Sequence, residues 1–284
     1  MSEIQNLPIG IFDSGVGGLT VYRALHERLP NERFVYLGDT ARVPYGTKSL
    51  ATVERYAIEN SRFLATRGIK LLVVACNTAS ALALPAIKRA INAEVVGVIE
   101  PGARKAVETA NRIGVIATEA TIGSRAYSNA IKSFDSTAEV VETACPLFVP
   151  LAEESWANEP ETVSIAEKYL QKIVSAKVEA LVLGCTHYPI LRDVIQETVG
   201  KQVKLIDSGE ATAETVESLL KNKNLANLTA AQHSTNRSLC DDLDHFYVTD
   251  AAERFARVAE RFLGAQPAKL EAIELWGNDE LRTN

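Results

Sequence analysis

Two stretches decide how this chain folds: Leu72–Thr78, "LVVACNT", and Leu181–His187, "LVLGCTH". Each is a short apolar run that ends in a cysteine followed by small or polar residues. A run of this length, closed by turn-forming residues, predicts a strand buried on both faces, as in parallel sheets covered by helices. Runs of the same kind occur at Pro8–Phe12, Phe34–Leu37, Leu71–Ala75, Val95–Ile99, Ile113–Ala117, Ala180–Leu183, Val203–Ile206 and Phe246–Val248. Helical patterns occupy Gly18–Leu29, Leu50–Arg67 (stopped by Gly68), Pro160–Ala176 and Ala251–Leu263, the last with Asp250 and Glu253 spaced as a capping box. The alternation of strand and helix predicts an α/β fold with parallel sheets.

The two opening stretches belong to a longer internal similarity. "IGIFDSG" at Ile9 resembles "IGVIATE" at Ile113, and "VIEPGA" at Val98 resembles "LIDSGE" at Leu205. With the cysteine-tipped pair, three matches run in the same order at offsets of 104, 109 and 107 residues. Near-collinear matches predict two half-molecules of one α/β plan. In a doubly wound sheet, ligands bind beyond the carboxyl ends of the strands. Cys76 and Cys185 then stand at equivalent strand ends, and two such domains face to face present both thiols to one central cleft.

Composition narrows the partners. The 284 residues are 46% hydrophobic and carry a net charge of -6 with no basic stripe, which argues against nucleic acid or an anionic membrane as partner. The longest apolar stretch, Leu71–Ile87, is broken by Asn77, Thr78, Ser80 and Pro85, so no membrane span is expected. "MSEIQNLPIG" lacks a secretory pattern, and a cytoplasmic protein is expected. The four cysteines, Cys76, Cys145, Cys185 and Cys240, have no CxxC or zinc spacing, so no disulfide framework and no metal are predicted. Cys145 and Cys240 fall at no predicted strand end and read as buried filler. His26, His233 and His245 read as surface or satisfied core.

The residues after each cysteine, Asn77-Thr78 and Thr186-His187, begin the turn into a helix, where backbone N–H groups favour an anion or a thiolate. Asp13, in the glycine-rich "DSGVGGLTV", is expected to point its carboxylate from the first strand tip into the same cleft. "VPYGTKS" at Val43 is either an ordinary loop or one that presents Tyr45 and backbone amides.

Together "FDSGVGGLTV", "DTARVPYG", "VACNTASA", "GCTHYPIL" and "IDSGEATA" resemble the glutamate racemases of the cofactor-independent aspartate/glutamate racemase superfamily, in order from Pro8 to about Val216. The resemblance implies catalytic Cys76 and Cys185, and substrate contacts from Asp13, Ser14, Pro44, Tyr45, Gly46, Asn77, Thr78, Thr186 and His187. It implies an assisting acid at Glu153. It further implies L- and D-glutamate as substrates, supply of D-glutamate to peptidoglycan, no cofactor, a homodimer, and domains of 1–97 plus 207–284 against 98–206. Inverting an α-carbon requires a proton removed on one face and returned on the other, which two opposed thiols can do. Asp13 is expected to hydrogen-bond Cys76, and His187 to hydrogen-bond Cys185. Rival readings are an aspartate racemase, a non-catalytic clamp for a carboxylate, and a one-cysteine nucleophile enzyme.

Overall fold

The structure, a computed structural model, describes residues 3–227 and 237–275; His233 and the tail beyond Leu275 lie outside the described residues. Along the chain, β1 (Ile9–Asp13), α1 (Leu19–Arg28), β2 (Phe34–Gly38), α2 (Leu50–Thr66), β3 (Leu71–Val74), α3 (Asn77–Leu82), α4 (Leu84–Ala90) and β4 (Glu94–Gly97) build a first layer. A second layer follows: α5 (Ile99–Thr109), β5 (Arg112–Ala117), α6 (Glu119–Ser124), α7 (Ala126–Phe134), β6 (Glu139–Ala144), α8 (Phe148–Glu153), α9 (Pro160–Ser175), β7 (Ala180–Gly184), α10 (Arg192–Val199) and β8 (Lys204–Asp207). After α11 (Ser208–Asn222) the chain returns to the first sheet with β9 (His245–Val248), α12 (Ala252–Leu263) and β10 (Leu270–Ala272).

All strand pairs are parallel. The sheets run β10-β9-β2-β1-β3-β4 and β6-β5-β7-β8. Without its last two strands, the first sheet has the order of the second, element for element. The register agrees too: Gly10 lies beside Leu72 as Gly114 lies beside Leu181. The third sequence match is three residues out of register, because Val95, not Val98, is the partner of Leu72 as Leu205 is of Leu181. Val98 already precedes α5, so the strand expected to reach Ile99 stops at Gly97.

Alternation fills both faces of each sheet. Ile9 and Ile11 turn to one side with Tyr22 and Leu25 of α1; Phe12 turns to the other with Val53 and Ala57 of α2. In the second sheet Leu181 and Leu183 pack with Leu170 and Ile173 of α9, and Ala180 and Val182 with Ala103 of α5 and Ile131 of α7. Each such large side chain contributes about 1.5–3 kcal/mol through burial. Helix α2 ends where expected, with Gly68 taking a left-handed φ of 69° that a side chain would resist.

Two further expectations need correction, and one strand was not expected. The capping box before α12 is absent: Ala251, with φ 51°, precedes the helix, and Asp250 Oδ1 accepts from the Ala251 N–H instead of reaching into the first turn. Strand β6 had no clear signal, because this edge strand is only half-buried and carries Glu139, Glu142 and Thr143. Cys145 directly follows β6, so it does stand at a strand end after all.

Candidate active site

The carboxyl ends of the two sheets meet around a cavity of about 350 Å³. Cys76 sits two residues past β3 and caps α3, its Sγ accepting from the Ala79 N–H at 3.5 Å. Cys185 follows β7 and opens a short 3₁₀ turn, Tyr188–Leu191, whose Pro189 suits a first turn. Both line the same cavity, although 5% and 6% exposed. Of the other site candidates, Ser14, Pro44, Tyr45, Gly46, Asn77, Thr78, Glu153, Thr186 and His187 also line it.

Asp13 does not line it. Its carboxyl is fully buried beneath the glycine turn, with Oδ2 accepting the Gly15 N–H at 2.9 Å and Oδ1 unpartnered among the described residues. The expected hydrogen bond from Asp13 to Cys76 is replaced by one between Cys76 Sγ and Ser14 Oγ, at 3.6 Å. The reason is direction: successive strand residues point to opposite faces, so Asp13 and Ser14 cannot both face the cleft. Asp13 acts on Cys76 through its charge. Burial, then the Asp13 charge, push the Cys76 thiol up to about 12, outweighing the Ala79 N–H and Ser14. The helix start therefore does not make Cys76 a thiolate in the free protein.

Cys185 has a different environment. Its Sγ lies 3.8 Å from His187 Nδ1, and His187 Nε2 lies 3.1 Å from Glu153 Oε1, at the end of α8. Burial opposes a charge on His187, but hydrogen bonds to Cys185 and Glu153 prevail and push its pKa up to about 10. Glu153 is correspondingly held below the usual carboxylate range: desolvation raises it, and His187 and Arg254 more than offset that. The arrangement stores a proton on His187 beside one sulfur and a proton on the other sulfur itself.

Tyr45 borders the cavity while its phenol is buried and donates to Asp39. Asp39, directly after β2, is the hub that fixes this loop: it also accepts from Arg42 Nε at 2.8 Å, Asn60 Nδ2 at 3.1 Å and Thr249 Oγ1 at 2.9 Å. The sequence reading passed over Asp39, although its place at a strand tip mirrors that of Asp13. Thr118 was missed as well. It lines the cavity and hydrogen-bonds Thr78 Oγ1 at 3.0 Å. The 104-residue offset that matches Ile9 to Ile113 also matches Ser14 to Thr118, and that signal was sufficient to find it.

The glycine-rich turn is one of the places where the layers touch. A Cβ on Gly17 would lie 2.3 Å from Thr186 Oγ1 and 2.5 Å from His187 Nδ1. Nearby, Thr20 Oγ1 donates to the Thr186 carbonyl at 2.8 Å. Cys145 is fully buried and Cys240 nearly so, and neither borders the cavity; burial raises both thiols. Among the described residues no cluster of His, Cys, Asp and Glu has a metal-binding arrangement, and no helix is long and apolar enough to cross a membrane. His26 is core rather than surface, and its Nε2 is buried without a partner among the described residues.

Comparison with known proteins agrees with this geometry. The family pattern of Asp/Glu/Hydantoin racemase matches residues 9–216. A glutamate racemase of Geobacter metallireducens is 51% identical over 274 residues, covering 96% of this chain and 98% of that protein. A crystal structure of glutamate racemase from Francisella tularensis in complex with D-glutamate superposes with a TM-score of 0.87 at 39% identity, covering 96% of this chain and 99% of that one. A glutamate racemase from Thermus thermophilus in complex with β-chloro-D-alanine gives 0.83 at 42% identity, with 95% and 98% covered. The chain therefore belongs to the Asp/Glu/hydantoin racemase family, and within it to the glutamate racemases.

Proposed function

We infer that this chain interconverts L- and D-glutamate, with Cys76 and Cys185 as the two proton-transfer groups. The observation that carries the reading is their placement at equivalent strand ends on two sides of one cavity. In one direction the Cys185 sulfur takes the α-proton while the Cys76 thiol delivers its own to the opposite face. The carbon gains one proton and loses one, and the enzyme finishes with the proton moved from Cys76 to Cys185. The reverse direction begins from that state. Each positioned acid or base is worth roughly 10²- to 10⁴-fold.

The surrounding groups have separate tasks. The imidazolium of His187 faces the Cys185 sulfur and is held by Glu153. Burial keeps Cys76 protonated, and Asp13 adds to this through its charge, without touching substrate. Asn77 Nδ2 is buried, unpartnered among the described residues and part of a cavity-lining residue, which suits a substrate carboxylate. Ser14, Thr78, Thr118, Thr186 and the backbone of Pro44–Gly46 supply further polar contacts. These groups stabilise the carbanionic intermediate by fixed dipoles. Both proton transfers are accounted for by the chain's own side chains, so activity should need no added cofactor and should survive a chelator.

The reading extends to a cytoplasmic homodimer that supplies D-glutamate for peptidoglycan. Its domains divide as 1–97 plus 207–284 against 98–206, of which 1–2, 228–236 and 276–284 lie outside the described residues. The pairing of β9 with β2 supports assigning the chain end to the first domain. The test separates the thiols. Elimination from a glutamate analogue bearing a β-leaving group needs a base alone. Cys76→Ser and Cys185→Ser should each lose racemisation, and each should keep elimination from one enantiomer only. The resemblance assigns D-glutamate to Cys76 and L-glutamate to Cys185. One variant losing both enantiomers while the other loses neither would refute the two-thiol reading.

A further inference from the structure

Helix α12, near the end of the described chain, reaches across to the second layer with its polar face. One side of α12 buries Phe255, Val258, Ala259 and Phe262 in the core that includes Tyr36 and Phe246. Its polar side touches α8. Arg254 Nη2 donates to Glu153 Oε2 at 3.0 Å, and Arg261 Nη1 donates to the Glu153 carbonyl at 3.2 Å. Phe262 meets the His187 ring edge-on, with centroids 6.2 Å apart. The other Glu153 oxygen, Oε1, is the one that holds His187.

We propose that Arg254 is a positioning residue for the Cys185 half of the reaction, fixing the Glu153 carboxylate so that it orients the His187 ring toward the Cys185 sulfur. The proposal rests on the roles given above to Cys185 and His187. A carboxylate held at one oxygen still turns about its terminal torsion, which has broad, roughly two-fold wells. Held at both oxygens, by Arg254 on one side and His187 on the other, it has one orientation, and His187 inherits it. The guanidinium also adds, behind His187 itself, to what holds the Glu153 carboxyl below its ordinary range against burial. Arg254 is 58% exposed on its side chain, so the ion pair adds little to overall stability. Its effect should therefore be read in catalysis rather than in folding. Because Arg254 rides on the first layer and Glu153 on the second, the dyad is held this way only when the layers have this spacing. The hydrogen-bond partners of Cys76, Ser14 and Ala79, lie on neither α8 nor α12.

The test uses Arg254→Ala, Arg254→Lys and, as a control, Glu154→Gln. Glu154 is also near Arg254, at 4.0 Å, but does not reach His187. The substrate is the β-leaving-group analogue in both enantiomers. Arg254→Ala should lower kcat roughly fivefold to twentyfold for the enantiomer that Cys185→Ser loses, a misplacement effect below the ~10²-fold of a full 1 Å shift. KM should change less than about twofold, the other enantiomer should be within about twofold of wild type, and the unfolding midpoint should hold. Arg254→Lys should recover most of the loss, and Glu154→Gln should change neither enantiomer. Equal losses for both enantiomers, no loss for either, or a Lys variant no better than Ala would overturn the proposal. A Cys185→Ser protein that retains both enantiomers would instead overturn the two-thiol reading, so the two failures are distinct.

Discussion

Replacing Gly17 by alanine tests whether the contact between the layers sets the chemistry. The added methyl would lie 2.3 Å from Thr186 Oγ1 and 2.5 Å from both Cε1 and Nδ1 of His187. Ordinary carbon contacts start at about 3.5 Å, so the methyl needs roughly 1 Å of room. The obstacle on the far side is the residue pair directly after Cys185, and His187 Nδ1 is the atom that faces its sulfur. Gly17 has no left-handed φ, so the penalty is steric alone. Overpacking of this kind costs about 1–3 kcal/mol of stability, which a chain of this size should survive folded. Displacing a reacting group by about 1 Å costs on the order of 10²-fold in rate. Circular dichroism of glutamate racemisation should show kcat/KM down about a hundredfold, while urea unfolding shows the modest stability loss. Gly123→Ala is the control: it sits in α6 with nothing within 4 Å of the new carbon, and should change neither quantity. A Gly17→Ala enzyme within about threefold of wild type would refute the idea that this contact positions His187.

Two pH dependences follow from the site. Because the Cys76 thiol is pushed up to about 12, iodoacetamide should modify it at pH 8 far more slowly than a free thiol of pKa about 8.5, and Asp13→Asn should speed the reaction. Equal rates with and without the Asp13 charge would contradict that assignment. His187 is raised from an unfolded value near 6.5 to about 10, so its stabilising contribution is complete below about pH 6.5 and is lost as pH rises through 10. Urea midpoints should therefore fall more steeply between pH 7 and 10 in wild type than in His187→Gln; parallel slopes would place the proton elsewhere.

The sequence carried the plan of the fold because buried parallel strands are short apolar runs with sharp ends. It carried the cavity's two cysteines because a repeat marks equivalent positions. What it lost is instructive. Strand β6 hides because it is an edge strand, half-buried and interrupted by Glu139, Glu142 and Thr143; with it goes the strand-end position of Cys145, although the reading of that thiol as buried filler agrees with its place in the core. Asp13 was expected in the cleft because its neighbours in sequence are there, but alternation turns its carboxyl under the turn. Asp39 and Arg254 act through partners 210 and 101 residues away, Thr249 and Glu153 respectively. No local pattern reports such pairings; only the packing of the return segment creates them.

The path of the chain has a further consequence for how the protein is made. The four-stranded sheet is continuous from Arg112 to Asp207 and is complete as soon as that stretch has emerged. The sheet that contains the first residues is not. The flank of β2 stays open until β9 arrives, more than two hundred residues later. Asp39 meanwhile awaits Thr249, and Asp244 arrives equally late to accept the Phe34 N–H and the Tyr22 hydroxyl. Domains usually fold in the order of synthesis. Here the half begun first is finished last, and until then it presents a bare strand edge that a chaperone, or another nascent chain, can occupy.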